Sequence, residues 1–261
     1  MRSPNQSPEL KARIFRMAVL AALVVLAGGK AASAAPAASA GCGADALGTS
    51  RTLTLKRAYG AWGKVQHDPL PLNKGEVVLT FDDGPRPETT PRVLQALAAQ
   101  CVKATFFMVG DNIARFPDLA RRVAGEGHST GMHSYRHTHP GTLTPDQQLA
   151  DLKQTQDVYR AAFGAAAPAY RFPFLEETPT LMAALKAEKL AVMSVDLGIG
   201  DWEADVTTGT LAARLLESLQ ATGGGIILMH DAYGPPADAL PVLLKLLKQN
   251  GYKVVHLEWR D

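Results

Sequence analysis

From Glu76 to the C-terminus the chain alternates short apolar runs with segments of helical periodicity, and no other feature restricts its fold as strongly. The runs lie at 77–81, 104–109, 129–132, 169–172, 191–196, 225–229 and 253–257. Each is rich in β-branched or aromatic residues on consecutive positions, the pattern of a strand buried on both faces. Between them Thr90-Pro91, Thr144-Pro145 and Thr178-Pro179 read as helix starts, with a hydroxyl at the N-cap and a proline in the first turn. Gln147, three residues after Thr144, adds a capping box. Gly164 and the glycines at 223–225 read as helix ends. Strands separated by helices demand a parallel sheet with crossovers, an α/β fold closed as a barrel or left open and doubly wound.

The charge is unevenly distributed. Of 27 Lys+Arg and 25 Asp+Glu in 261 residues, residues 1–34 hold five basic side chains and one acid, which leaves 22 basic and 24 acidic beyond them, a net of −2. Lys11, Arg13 and Arg16 precede an uncharged run of 13 residues at 17–29, followed by Ala32-Ser33-Ala34 and Ala38-Ser39-Ala40. That order reads as a secretory signal peptide over 1–34 with two candidate cleavage sites, and the run is short of the roughly 20 residues a spanning helix needs. The expected location is therefore outside the cytoplasm, periplasmic or secreted, with no stable membrane span after cleavage. The near-neutral balance excludes a nucleic-acid binder that relies on a large positive field, and 46% hydrophobic residues exclude intrinsic disorder. Two cysteines are too few for a disulfide framework or a thiolate zinc site. In an oxidising compartment Cys42 and Cys101 either bridge, tying the polar extension to the domain body, or remain thiols with Cys101 buried between a helix and the next strand.

Ionisable residues gather at the C-terminal ends of five of the runs, where parallel α/β barrels carry their chemistry. They are Asp82-Asp83, His133 with His137, Arg171, Asp196 with Asp201, and His230-Asp231. Adjacent side chains leaving a strand diverge, so of Asp82 and Asp83 one can bind a metal while the other stays free as a base. His133 and His137, four apart, fit one side of a helical turn and one divalent ion, and with Asp83 they make three ligands and leave positions for water and substrate. Taken singly, each group also has an ordinary reading: a turn at Asp83-Gly84-Pro85, solvated histidines, a structurally paired arginine, Trp202 as core or as a sugar-stacking platform. Core packing gives no reason for all five to share one rim.

Thr80-Phe81-Asp82-Asp83-Gly84-Pro85, His133-Ser134-Tyr135-Arg136-His137, Arg171-Phe172-Pro173-Phe174, the Asp201-Trp202 segment and Leu228-Met229-His230-Asp231, in this order, resemble the polysaccharide deacetylases with a NodB homology domain, carbohydrate esterase family four. The resemblance covers 75–261 and leaves 35–74 as an N-terminal extension without a counterpart. It implies a distorted seven-stranded (β/α) barrel and hydrolysis of N-acetyl groups on an N-acetylglucosamine-containing glycan. It also implies a divalent metal on Asp83, His133 and His137, zinc first, with Co2+, Ni2+ or Mn2+ as further candidates. By the same resemblance Asp82 is the general base, Arg171 orients it, His230 is the general acid and Asp201 supports His230. The Phe174 N–H holds the oxyanion, and Trp202 and Leu228 wall the acetyl pocket. Phe174 stands where the family usually has Tyr, Phe172 replaces a commonly smaller residue, and the spacer from Asp196 to Asp201 is longer than usual, which weakens a direct role for Asp196. The competing expectations are an amide or cyclic-imide hydrolase on the same barrel, and a carbohydrate-binding homologue without catalysis.

Overall fold

The computed structural model describes residues 42–43 and 45–261, so the expected leader and both cleavage sites lie outside the described residues. Ten strands pair in parallel: β1 (Thr49–Lys56), β2 (Ala61–Trp62), β3 (Glu76–Asp82), β4 (Thr105–Met108), β5 (Ser129–Met132), β6 (Ala169–Tyr170), β7 (Ala191–Met193), β8 (Leu197–Gly198), β9 (Gly225–His230) and β10 (Lys253–Arg260). The helices are α1 (Thr90–Ala99), α2 (Gly110–Arg115), α3 (Pro117–Gly125), α4 (Pro145–Phe163), α5 (Pro179–Ala187), α6 (Thr208–Thr222) and α7 (Gly234–Gln249). None of them is long and apolar enough to cross a membrane.

The sheet runs β1-β10-β3-β4-β5-β6-β7-β2, with β9 also paired to β3 and β8 to β9. This is the expected parallel α/β architecture, in which β3, β4, β5, β6, β7, β9 and β10 occupy the seven apolar runs. No ladder joins β7 to β9 directly. β8, which follows β7 after three residues, pairs with β9 alone, so the ladders among the described residues do not close the sheet. Strand alternation then sorts the side chains. Val77, Leu79 and Phe81 of β3 join the apolar layer beneath the helices, whereas Val78 faces a separate inner cluster with Phe107, Ala169, Met193, Ile226 and Val255. Two steps further along the same face stand Thr80 and then Asp82, so the inner face of β3 passes from apolar floor to carboxylate.

The segment 49–62, read above as part of an extension, adds two strands to this sheet. β1 pairs with β10 from Thr49↔Val254 to Lys56↔Arg260, and β2 lies beside β7. β1 alternates half-buried and exposed residues, as an edge strand with one solvated face does, and therefore lacks the continuous apolar run that betrays the inner strands. Cys42 and Cys101 are joined, with Cα atoms 6.1 Å apart across 59 residues of sequence, a loop long enough for the bridge to contribute about 4 kcal/mol by restricting the unfolded chain.

Helix ends follow the predicted chemistry with one difference. Thr144 and Gln147 form the reciprocal capping box, Thr178 accepts from the Leu181 N–H, and Gly164 and Gly223 close α4 and α6 in the left-handed conformation. At α1 the cap residue is Thr89 and makes no side-chain capping bond; its hydroxyl donates to the Asp231 carbonyl and that of Thr90 to the Asp231 carboxylate.

Arg51 of β1 forks onto Glu76 of β3, with Nε–Oε1 and Nη2–Oε2 distances of 2.8 and 2.7 Å, and the Asn73 N–H donates to the same carboxylate. The Arg51 hydrogen bond is the main cause that holds the Glu76 carboxyl down at about 2. A carboxyl lowered on folding stabilises the fold above its unfolded pKa and ceases to do so as pH falls through its folded one. Glu76→Gln is expected to lower the melting temperature at pH 7, with the gap to the parent protein closing between about pH 4.5 and about pH 2. A gap independent of pH would show that the ion pair contributes nothing.

Candidate functional site

Asp82, the last residue of β3, points into the sheet interior and is met there by Arg171, which follows β6 directly. Arg171 is wholly buried and its guanidinium is fully engaged: Nη1 donates to Asp82 Oδ1 at 2.7 Å and Thr80 Oγ1 at 2.8 Å, Nε to the Met193 carbonyl at 3.0 Å and Nη2 to the Ser194 carbonyl at 3.1 Å. Its guanidinium also lies 4.2 Å from the Phe107 ring centroid. A charge so far from water is tolerable only when paired and fully hydrogen-bonded. Burial pushes the Asp82 carboxyl up and makes it more basic, while the Arg171 charge restrains that shift and fixes the direction of the carboxylate.

Asp83 departs from the expected divergence of neighbouring side chains. With φ 75° it leaves the strand in the left-handed region, and this turn brings its carboxylate back to the mouth that Asp82 faces. His133 Nε2 consequently lies 3.7 Å from Asp82 Oδ2 and 3.5 Å from Asp83 Oδ1. The turn is held by its neighbours: Asn112 Nδ2 donates to the Asp83 carbonyl at 2.8 Å, and the Val109 N–H to the Gly84 carbonyl at 3.0 Å. Gly84 sits against the Asp231 carboxylate so closely that a Cβ there would stand 2.2 Å from Oδ2. Thr90 donates to that same oxygen at 2.5 Å.

His133 and His137 come from a loop after β5, not from the helical turn that their spacing suggested. Ser134 and His137 both take positive φ, 59° and 54°, and the His137 N–H donates to Ser134 Oγ at 2.9 Å, which tightens the loop enough to bring the rings within 4.9 Å. His133 Nδ1 lies 2.8 Å from the Arg171 carbonyl, which can only accept, so this nitrogen carries the proton and Nε2 offers its lone pair to the cavity. Burial, above all, holds His133 down at about 3 and therefore neutral. His137 Nε2 lies 3.2 Å from Asp83 Oδ1. One ligand atom each from Asp83, His133 and His137 falls within 4.8 Å of the others. Asp83 Oδ1, the oxygen the two imidazoles approach, is buried without a hydrogen-bond partner. Two imidazoles and an unsatisfied carboxylate oxygen on one point are the donor set of a divalent cation, and the residues present fit one.

Across the cavity His230, at the end of β9, is gripped by Asp201. Asp201 Oδ1 lies 2.9 Å from His230 Nδ1, and Oδ2 accepts the His230 backbone N–H at 2.8 Å. Burial disfavours the imidazolium, but the hydrogen bond to Asp201 and the charges of Asp201, Asp82 and Asp83 outweigh it and lift His230 to about 9. Phe174 has φ 56° and ψ 12°, and among the described residues its N–H donates no hydrogen bond. Its exposed ring packs edge-on to His137 and stacks on His139. Trp202, half exposed, stands edge-on to His230, and with Leu228, Phe172 and Phe174 it lines a cavity of about 320 Å³ that Asp82, Asp83, His133, His137 and His230 also enter. Thus eight of the residues given roles from the sequence line one cavity, and Arg171 and Asp201 hold Asp82 and His230 from behind it; Asp231, read at the same rim, does not line it.

Asp196 does not reach this mouth. Its carboxylate accepts the N–H groups of Lys64 and Ile226 at 2.6 and 2.7 Å, a structural clamp between the N-terminal segment and β9. Tyr233 and Asn112 were not foreseen. Tyr233 Oη lies 3.4 Å from Asp83 Oδ2, and an aromatic three residues after a strand-end histidine was the available signal. Asn112 carried no signal, since its partner is a carbonyl 29 residues away.

Residues 70–193 match the family described as Polysaccharide deacetylase. A peptidoglycan-N-acetylglucosamine deacetylase of Bacillus cereus is 32% identical over 191 residues, spanning 72% of this chain and 68% of that protein. The peptidoglycan-N-acetylmuramic acid deacetylase PdaC of Bacillus subtilis is 32% identical over 200 residues, 74% of this chain but 42% of that longer protein. Among solved structures, a peptidoglycan deacetylase of Bdellovibrio bacteriovorus superposes with a TM-score of 0.72 at 32% identity, over 81% of this chain and 59% of the other.

Proposed function

The chain belongs to the polysaccharide deacetylase family, and from that premise we propose that it is an exported, metal-dependent enzyme that hydrolyses N-acetyl groups of an N-acetylglucosamine-containing glycan and releases acetate. The observation that carries the reading is the meeting, in one cavity, of the cation-binding triad, an arginine-clamped carboxylate and an imidazole–carboxylate pair. A binding protein without catalysis has no use for the last two.

Asp83, His133 and His137 would hold the cation, zinc first, although the same donors accept Co2+, Ni2+ or Mn2+. When bound there it supplies Lewis-acid polarisation of the acetyl carbonyl and acidifies water. Asp82, aimed by Arg171 and made more basic by burial, takes the proton of the attacking water. As the carbonyl oxygen gains negative charge, the free Phe174 N–H donates to it. His230, held protonated by Asp201, passes a proton from Nε2 to the amine nitrogen as the C–N bond breaks. Trp202 and Leu228 wall the acetyl group against solvent. The Cys42–Cys101 bridge and the basic-then-apolar start of the chain support export to an oxidising compartment.

Acetate release from an N-acetylated chito-oligosaccharide is expected from the zinc-loaded protein, with loss of activity on chelation and recovery when zinc is returned. Hydrolysis of a cyclic imide with none of the oligosaccharide would favour the other hydrolase reading. Binding of the oligosaccharide without acetate release would leave a carbohydrate-binding protein.

A further inference from the structure

The segment between β2 and β3 takes no part in the chemistry above, yet it reaches the turn that carries Phe174. Gly63, just past β2, takes φ 114°, and a Cβ there would stand 2.5 Å from the Ser194 carbonyl carbon, so only glycine lets the chain lie this close to the end of β7. The Val65 N–H donates to the Val195 carbonyl at 3.0 Å, and the N–H groups of Gln66 and His67 both donate to the Gly63 carbonyl, which closes a tight turn. Two side chains leave this turn for residues 172–177. Gln66 Oε1 accepts from Ser194 Oγ at 2.7 Å and Nε2 donates to the Leu175 carbonyl at 2.8 Å, while His67 Nε2 lies 2.5 Å from Glu177 Oε1. A carbonyl can only accept, so one orientation of the Gln66 amide satisfies the Leu175 oxygen.

The turn at 173–175 has little else to fix it. Phe174 and Leu175 both take φ 56°, two consecutive non-glycine residues in the left-handed region, each at a cost of about 1–2 kcal/mol. The Phe174 ring is half exposed, so its burial offsets little of this. Within the turn the Leu175 N–H donates to the Phe172 carbonyl at 3.1 Å and the Glu176 N–H to the Pro173 carbonyl at 3.0 Å. The other outside contacts hold side chains: His139 Nδ1 lies 2.9 Å from Glu176 Oε1, and Thr178 Oγ1 donates to Gln148 Oε1 at 2.6 Å. Among the described residues, Gln66 is the one side chain that hydrogen-bonds the backbone of 172–177.

We infer that Gln66 is a positioning residue for the oxyanion donor. By gripping the Leu175 carbonyl it holds the left-handed pair in place, and the Phe174 N–H stays open toward the cavity that Phe174 and Leu175 line. The inference rests on the deacetylase reading and adds to it a residue that stands before residue 70, where the family match begins. A donor aimed at developing charge contributes only while it is preorganised, and loosening it weakens binding of the transition state and not of the substrate. The effect therefore falls on kcat.

The test uses two substitutions. Gln66→Met keeps the length of the side chain and removes both hydrogen bonds, whereas Gln66→Glu keeps an acceptor for Ser194 Oγ and turns a second acceptor toward the Leu175 carbonyl. Each is compared with the parent protein, zinc-loaded, for acetate release from N-acetylated chitotetraose, and the exchange of the Leu175 and Glu176 amide hydrogens is followed by NMR. Both variants are expected to lose roughly tenfold in kcat with KM within about twofold of the parent, and to exchange the two amides roughly tenfold faster, at unchanged zinc content and melting temperature. Parental kcat in both variants would overturn the inference and leave the deacetylase reading standing. A fall in kcat matched by a fall in melting temperature would also overturn it, since Gln66 would then serve the fold and not the donor. No acetate release by the parent refutes the deacetylase reading, and amide exchange then decides: acceleration in both variants supports the grip on the turn, and parental exchange overturns it.

Discussion

Asp82→Asn is expected to lower acetate release by about 10²- to 10⁴-fold while the protein still binds one equivalent of zinc. Asparagine preserves the shape of the side chain and an acceptor oxygen for Arg171 Nη1, but it cannot take a proton from water. The triad does not include this residue, because the oxygen buried without a partner belongs to Asp83. Metal content and activity should therefore separate, and they should not separate for Asp83→Asn. Substantial turnover by Asp82→Asn, or loss of zinc along with activity, would assign the proton transfer elsewhere.

The largest stability loss is expected from Arg171→Met, about 3–5 kcal/mol, because a buried Asp82 carboxylate is left without its counter-charge. The Met193 and Ser194 carbonyls and Thr80 Oγ1 lose their donors at the same time. For a domain of this size such a loss lowers the melting temperature by on the order of 10 °C. Adding Asp82→Asn removes the stranded charge, so the double variant should recover part of the stability while remaining inactive. If both variants melt together, the hydrogen bonds to the carbonyls and not the ion pair hold this part of the sheet. Because the two residues touch, their effects are not additive, and the double-mutant cycle measures the coupling directly.

The inner strands were readable because a parallel strand covered on both faces must be apolar at consecutive positions, and seven such runs stand out from the helices between them. β1 was not, since its period-two pattern of polar and apolar residues belongs equally to an exposed loop until β10 is known to lie beside it. β2 and β8, two residues each, are too short to carry any period. At the site, the residue types and their strand-end positions were legible. The conformations that aim them were not: the positive φ of Asp83 and of His137 reverses what strand alternation and helical spacing predict, and no local rule asks a non-glycine residue to adopt it.

By itself the amino-acid sequence determined the parallel α/β class and the family and pointed to the strand ends where eight of its candidate residues line one cavity, because hydrophobic periodicity and strand-end chemistry are local properties that survive in one dimension. Only the tertiary structure decided that Asp196 is a clamp, that Tyr233 faces Asp83, that Cys42 and Cys101 are joined, and that Gln66 grips the Leu175 carbonyl. Each of these depends on distances between segments far apart in the chain. Gln66 reads singly as a solvated surface amide, and meets a carbonyl 109 residues further on only where the segment after β2 lies against the end of β7.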